Sequence, residues 1–463
     1  MFSRGKMSVF AMFSFVLLGL VCGVIVLTLT YILSVSMRIL QDKARGNHFK
    51  IHTINTTRCG GVCIFIALII IVMAGLEIDV GDSKNLENIE SNRKIDSINY
   101  NNIESKVMES SNKDSKESTK QKVDVSLNAQ HDKNIESNNK DSKIQTTIIA
   151  TLAGLHLYIS CFIIIQSGML KDTNKSTSIT LINLIQWLGI LYFNFSFLFL
   201  YIDSIYYNIT YFFASFIMIY VIINAFNMID GINGNAIFTA ILINISLLYT
   251  AHLQDSTFIT FVAAILLGIN VVFAAFNFPK GLMFLGDSGA YLLSFTLAAL
   301  LTIGILYFDF PKLYAFSLFI YPICEIFTCS FIRATKVQNF SIRELLLHLY
   351  EPNNYHLHYF LYLRFKHYSS LIIALIYAPF ILINTLFYKE DSILFLSIIT
   401  FCVIYGILFY TLRTKTMYLY NEMPLDSKAD SKLDSKVDSK IDSKMDFKID
   451  SKIDSNNKPA KTK

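Results

Sequence analysis

Charge is scarce in this chain. Asp, Glu, Lys and Arg make up 16% of its 463 residues, against 53% hydrophobic residues and a mean hydropathy of +0.46. Most of that charge falls in two stretches, 79–145 and the tail from Asp426, which leaves the remainder greasier than the average. An ordinary soluble domain is excluded by this shortage, because its surface needs far more polar cover. No small-x-small cleavage site follows the first apolar run, and that run is too long for a signal-peptide core, so it reads as a retained span despite Arg4 and Lys6 before it. Cysteine is sparse and scattered: Cys22, Cys59, Cys63, Cys161, Cys324, Cys329 and Cys402 all lie in or beside apolar runs. Cys59 and Cys63 have no second pair and no nearby His cluster to complete a metal site, and read as small apolar residues. Related half-sequences are missing too, and Glu325 is the lone charge inside a span, which counts against a transporter.

What is present is a series of uncharged runs: Met7–Met37, Cys59–Leu76, Ile144–Leu170, Ser176–Ile202, Ser204–Ile229, Gly231–Gln254, Ser256–Pro279, Ser288–Phe308, Tyr368–Tyr388 and Ile393–Leu412. A further run, Leu313–Ile332, is broken only by Glu325. A bilayer core takes about 20 apolar residues as helix, so each run can hold one span. The expected fold is an all-α polytopic membrane protein with about 11 (10–11) transmembrane helices. The chain divides into spans 1–2 with a basic loop (1–78), a polar insert (79–145), the remaining spans (146–412) and a tail (413–463). The insert and the tail, with its "DSKADSKLDSKVDSKIDSK" repeat, alternate opposite charges with isolated aliphatics. Such segments cannot bury enough surface to offset chain entropy, so both are expected to be disordered.

Lys and Arg in short loops orient the spans. The loop "RILQDKARGNHFKIHTINTTR" carries five basic residues against one acid, which assigns it to the cytoplasm. By alternation, 167–175, 227–235, 278–288 and 333–367 follow it there. The polar, non-repetitive loops thereby share one face: "HFKIHTINTTRCGG" (48–61), "SGMLKDTNKS" (167–176), "NAFNMIDGINGN" (224–235), "FNFPKGLMFLGDSGA" (276–290) and "EPNNYHLHYFLYLR" (351–364). Asp172, Asp230 and Asp287 each stand at the inner end of a span. Converging carboxylates suit a hard divalent cation, and magnesium takes one or two carboxylates plus substrate phosphates. Lys50, Lys175 and Arg364, with His356 and His358, suit phosphate oxygens. Glycines at 231, 234, 286 and 289 allow close backbone approach. Each piece alone has a bland reading: Asp-Gly and Gly-Asp-Ser-Gly stretches are commonly turns with helix caps, loop histidines are commonly solvated, and Asn224 and Asn227 could merely satisfy backbone groups. Their joint occurrence on one face points to a metal–diphosphate substrate.

These residues resemble the polyprenyl-phosphate N-acetylhexosamine-1-phosphate transferase family, which includes phospho-muramoyl-pentapeptide translocase and the GlcNAc-1-phosphate transferases. The family pattern N-x-x-N-x-x-D-G-x-D-G-x-A is similar to Asn224, Asn227, Asp230, Gly231, Asn233, Gly234 and Ala236. The pattern F-x-G-D-[ST]-G-[SA] is matched by Phe284, Gly286, Asp287, Ser288, Gly289 and Ala290. "RCGG" resembles the end of the family's first basic loop, and "PNNYHLHY" its P-D-R-x-H-x-H-H, the spaced H-x-H favouring the GlcNAc-1-phosphate branch. The resemblance implies that a lipid phosphate attacks the β-phosphorus of a UDP-sugar, releasing UMP. It implies magnesium (or manganese) on Asp172 and Asp287, and catalytic roles for Asp172, Asp230, His356 and His358. It further implies substrate contacts for Lys50, Asn224, Asn227, Asn233, Asn277, Phe284 and Arg364. The implied partners are a UDP-N-acetylhexosamine, undecaprenyl phosphate and the bilayer, with no nucleic acid and with a homodimer left open. The implied place is a bacterial inner membrane, active face cytoplasmic, at the first step of an envelope polysaccharide such as O-antigen.

The chain also departs from the family. Lys171 stands where the family has the first Asp of an Asp-Asp pair, Asn233 replaces an Asp, Tyr359 a His, and Asn353–Asn354 an Asp-Arg. Glu325 stands near a family Asp; an intramembrane acid is a functional suspect, with helix packing as the rival reading. A catalytically impaired homologue that binds a lipid phosphate or a partner is therefore the alternative to an active transferase.

Overall fold

The computed structural model describes residues 8–37, 41–42, 56–58, 60–67, 152–173, 177–199, 205–335 and 355–421. Lys50, Lys175, Asn353, Asn354, the insert 79–145 and the tail beyond Asn421 lie outside the described residues. Two compact units divide the chain. One comprises Met1–Ser3 and Ile69–Leu155, of which 152–155 are described, and the other, Arg4–Leu68 and His156–Lys463, carries the features below.

The helices are α1 (Val9–Met37), α2 (60–67), α3 (Leu152–Thr173), α4 (Ile179–Asn194, continued by a π-helical turn Phe195–Phe199), α5 (Ile205–Ile229), α6 (Asn235–Leu253), α7 (Thr257–Asn277) and α8 (Gly286–Tyr307). They continue with α9 (Lys312–Ser317), α10 (Ile320–Ala334), α11 (Leu357–Phe365), α12 (Ser369–Leu386) and α13 (Asp391–Asn421). Gln41–Asp42 pairs antiparallel with Thr56–Thr57. Among the described residues nine helical segments are long and apolar enough to cross a membrane. The protein is an all-α polytopic membrane protein.

At the centre stands α8, buried along most of its length and packed against α5, α6 and α9. Around it α1 lies on α7, α6 on α7 and α12, α4 and α10 on α5, and α13 on α9, α10, α11 and α12. Small residues permit the closest approaches. A Cβ on Gly268 of α7 would stand 2.4 Å from the Val16 carbonyl oxygen, and one on Gly19 of α1 would stand 2.3 Å from that of Ile265. Between helices in lipid, such backbone proximity supplies the packing that hydrophobic burial cannot. The outer helices turn apolar side chains outward, Phe10, Leu375 and Phe331 among them, as a lipid-facing surface requires.

Two expected spans differ in the structure. The run Leu313–Ile332 is interrupted at Leu318–Phe319, between α9 and α10. Pro322 explains the break, because it has no N–H to offer the Leu318 carbonyl four residues back. The Tyr377 hydroxyl of α12 donates to that carbonyl instead. The last helix does not stop near Leu412 but runs on to Asn421.

Candidate active site

The ends of α3, α5 and α8 that carry Asp172, Asp230 and Asp287 meet in the structure. Helix α8 begins at Gly286 with φ +72° and no side-chain cap of its own. The cap comes from α3. The Asp287 and Ser288 backbone N–H groups donate to the two Asp172 carboxylate oxygens at 3.1 and 3.0 Å. Those N–H groups would otherwise be orphans at the helix start, and the carboxylate also meets the positive end of the helix dipole. A Cβ on Gly286 would press to 2.8 Å from the Asp172 carboxylate, so glycine is required twice over, by backbone and by space. Gly168 brings α3 this close: a Cβ there would stand 2.3 Å from the Ser288 Cα. Gly61 does the same for α2, 2.3 Å from the Gly289 nitrogen, while the Gly60 and Gly61 N–H groups donate to the Phe284 and Leu285 carbonyls.

Asp287 then projects from the first turn of α8. Its Oδ1 accepts from the Lys171 ammonium at 2.6 Å, and Lys171 also donates to the Tyr291 hydroxyl at 3.2 Å. Asn227 of α5 completes the group. With its amide turned as these neighbours require, its nitrogen donates to Asp287 Oδ1 at 2.5 Å and its oxygen accepts from Lys171 at 3.3 Å. Arg58 stands 3.6 Å from Asp172 Oδ1. Asp230, one residue beyond α5, is half-buried; its backbone N–H donates to the Phe226 carbonyl, and its carboxylate has no hydrogen bond or ion pair among the described residues. Loss of water, then the charges of Asp287 and Asp172, push its carboxyl well above the usual carboxylate range, with Arg58 pulling the other way.

The turn after Asp230 is built by amides. Asn235 donates to the Ile229 carbonyl at 2.8 Å and to the Tyr321 hydroxyl at 2.9 Å. Gly234, at φ +90°, donates its N–H to Asn277 Oδ1 at 2.6 Å, and Asn277 donates to the Met283 carbonyl at 2.9 Å. Asn233 donates its side-chain nitrogen to the Pro279 carbonyl at 2.9 Å and its backbone N–H to His367 Nδ1 at 3.2 Å. Asn233 and Asn277 thus tie the 230–235 turn to the loop before α8, through the side-chain nitrogen of Asn233 and both side-chain polar atoms of Asn277. Asn224 donates to the Tyr220 carbonyl of its own helix at 2.8 Å. Half-buried Phe284 lies in the same loop, where its ring would meet a Cβ on Gly281 at 2.9 Å.

The histidines, expected to meet the diphosphate, are packed inside the bundle. His356 precedes α11 and His358 lies in its first turn; both are buried, stacked on one another with centroids 4.9 Å apart. Glu325 of α10 draws them inward, at 3.4 Å from His356 Nδ1 and 3.5 Å from His358 Nδ1. His358 Nε2 sits where a Cβ on Gly231 would be, 2.4 Å away, so the pair backs the Asp230 turn from inside the bundle. Arg364, at the end of α11, is exposed and stands over the Phe365 ring. Arg58 and Asn235 were not singled out in the sequence. Arg58 was legible as the last base before the glycine pair, whereas Asn235 carried no distinguishing signal.

A divalent cation is tested by this donor set. Both Asp172 oxygens accept backbone N–H groups and Asp287 Oδ1 accepts from Lys171 and Asn227, so among the described residues the acidic oxygens here without a hydrogen bond are Asp287 Oδ2 and those of the Asp230 carboxylate. Loss of water first, and then the charges of Asp287 and Asp172, hold the Asp230 carboxyl high, and a cation relieves the repulsion between these carboxylates. Two carboxylates, with room left for phosphate oxygens, fit magnesium.

Residues 155–305 of the chain match the model of the glycosyl transferase family 4, a stretch from α3 to α8 that includes Asp172, Asp230, Asn277 and Asp287. The motif resemblance pointed to this same family. Among curated proteins none matches the chain.

Proposed function

We propose that this glycosyl transferase family 4 chain transfers an N-acetylhexosamine 1-phosphate, GlcNAc-1-phosphate first among the candidates, from its UDP-sugar to undecaprenyl phosphate. The observation that carries the reading is the convergence of Asp172, Asp230 and Asp287 with Lys171 and Arg58 at one end of the bundle. A lipid phosphate can reach such a position from the leaflet without leaving the membrane surface.

The chemistry follows from the charges. An oxygen of the lipid phosphate forms a bond to the β-phosphorus of the UDP-sugar, and the bond from that phosphorus to the bridging oxygen breaks, releasing UMP. A phosphate monoester loses its second proton near pH 6, so the lipid phosphate is largely a dianion at neutral pH and needs no base. The obstacle is repulsion between two anions. Lys171 and Arg58 are the cations nearest the carboxylate group, and their side chains are partly exposed for phosphate oxygens to meet. Asp230 and Asp287 would hold magnesium, which when bound would supply charge neutralisation at the diphosphate. Asn227 holds Lys171 and Asp287 in register, so that the ammonium is oriented while it exchanges carboxylate for phosphate. Asp172 acts through α8: by capping it, Asp172 fixes the direction in which Asp287 projects. The histidine pair supports the Asp230 turn from behind. Lys50, Phe284 and Arg364 remain proposed contacts for nucleotide or phosphate. The setting proposed is the cytoplasmic face of a bacterial inner membrane, at the first step of an envelope polysaccharide.

The test is UMP release by the purified chain in detergent with undecaprenyl phosphate, magnesium and a panel of UDP-N-acetylhexosamines. Release that needs both lipid and metal, and is lost in Asp287→Asn, is the expected result. A wild type that releases nothing while Lys171→Asp does so would favour the impaired-homologue reading.

A further inference from the structure

We infer that His367 is a positioning residue of the candidate active site, holding the 230–235 turn through Asn233 with its Nδ1 unprotonated. The clamp is a feature of the fold, and its effect on catalysis rests on the transferase reading above. No motif in the sequence marks His367.

The chain leaves α11 through one 3-10 turn, Lys366–Tyr368, before α12 begins at Ser369. Lys366 opens that turn at φ +51°, a conformation that L side chains rarely adopt. The turn meets Asn233 from two sides. His367 Nδ1 accepts the Asn233 backbone N–H at 3.2 Å, and the Ser370 hydroxyl donates to the Asn233 carbonyl. The Asn233 side-chain nitrogen donates to the Pro279 carbonyl at 2.9 Å, and a Cβ on Gly281 would stand 2.6 Å from it. Both backbone polar groups and the amide nitrogen of one buried residue are therefore engaged, which fixes its place. Tyr368 packs edge-on against Phe278, ring centroids 5.7 Å apart, and closes the same contact. Asp230 lies between the end of α5 and this clamp, so the clamp helps to set where its carboxylate stands relative to Asp287.

A nitrogen that accepts an N–H carries no proton of its own. Protonation of Nδ1 would set two donors against each other and break the bond, and an ordinary histidine takes up that proton near pH 6.5. The titratable and charged groups around the ring are Tyr362 on α11, with its centroid 5.1 Å away, Lys366 beside it, Lys280 after Pro279, and Asp230 in the turn it holds. None of these forms a hydrogen bond or an ion pair with the imidazole among the described residues. The Asn233 N–H is the group to which its protonation state answers.

Full-length wild type, His367→Ala and His367→Asn are purified in detergent, checked by gel filtration and compared in two ways. Asparagine places Oδ1 where Nδ1 stands, so it keeps an acceptor and does not titrate. The first readout is hydrogen exchange by mass spectrometry on peptides covering 230–235 at about pH 7.5. Wild type and His367→Asn should match, while His367→Ala exchanges about tenfold faster. The second is UMP release. In His367→Ala kcat should fall about tenfold with KM for the UDP-sugar within about twofold, and His367→Asn should recover most of the loss. On acidification to about pH 5.5 the wild type should lose rate more steeply than His367→Asn. Protonation of the lipid phosphate near pH 6 is common to both chains and drops out of that difference. Exchange in His367→Ala equal to wild type would overturn the inference, as would an acid limb unchanged in His367→Asn. If no chain releases UMP while exchange follows the expected pattern, the transferase reading fails and the clamp stands.

Discussion

Replacing Asp172 by asparagine separates two roles that the sequence left merged. In the structure both Asp172 oxygens accept backbone N–H groups of α8, and its side chain is almost wholly buried. Hydrogen bonds to a charged group are worth about 1.5–3 kcal/mol each. An asparagine of the same shape retains one acceptor, and its NH2 faces the second N–H group, which is left buried and unpaired. The helix-dipole contribution, about 0.3–2 kcal/mol, is lost as well. The sum is about 2–4 kcal/mol of destabilisation. Thermal unfolding in detergent should therefore fall by several degrees in Asp172→Asn, while UMP release below the new midpoint is reduced but measurable. In Asp287→Asn the effect on transfer should dominate. Its side chain is 16% exposed and pairs with Lys171, so the stability loss is that of one charge-assisted hydrogen bond, about 1.5–3 kcal/mol, and transfer should disappear. If Asp172→Asn melts with the wild type but releases no UMP, the capping argument is refuted and Asp172 is a ligand or reacting group.

Asp230 gives a pH test. Its folded-state carboxyl titrates above the unfolded value, so its penalty on stability is absent below about pH 4 and grows as pH rises through the raised value. Asp230→Asn should raise the melting midpoint at neutral pH and lose that advantage on acidification to about pH 4, and magnesium should raise the wild-type midpoint but not that of the variant. Gly168→Ala places a Cβ 2.3 Å from the Ser288 Cα. Forcing α3 from α8 should cost about 1–3 kcal/mol and depress kcat more than KM, measured by melting and by UMP release. Tyr377→Phe strands the Leu318 carbonyl at the α9–α10 break and should cost about 1–3 kcal/mol in thermal unfolding with KM unchanged.

The spans were legible because absence of charge is a property of each segment by itself. The break at Leu318–Phe319 was not, because Pro322 lies in an uncharged run and its consequence depends on a hydroxyl from α12. The glycines read as close-approach positions do serve that purpose: Gly231, Gly234, Gly286 and Gly289 each lack room for a side chain. What the sequence could not give was the division of labour among acids. Asp172 and Asp287 look alike as residues at span ends, and only the meeting of α3 with α8, across 115 positions of sequence, turns one into a cap and leaves the other paired with Lys171. The histidines were named from their spacing, but Glu325, which draws them inward, is 31 residues away from His356. Lys171 was visible as a departure from pattern, and its ion pair with Asp287 gives that departure a physical form.

The central claim concerns which bond is broken, and isotopic labelling tests it most directly. Purified chain is incubated with undecaprenyl phosphate and UDP-GlcNAc bearing radioactive phosphorus in either the α or the β position, and the products are partitioned between butanol and water. The account predicts that β-label moves into the lipid phase while α-label stays in water as UMP. Label from neither position entering the lipid, or sugar transferred without the β-phosphorus, would contradict it.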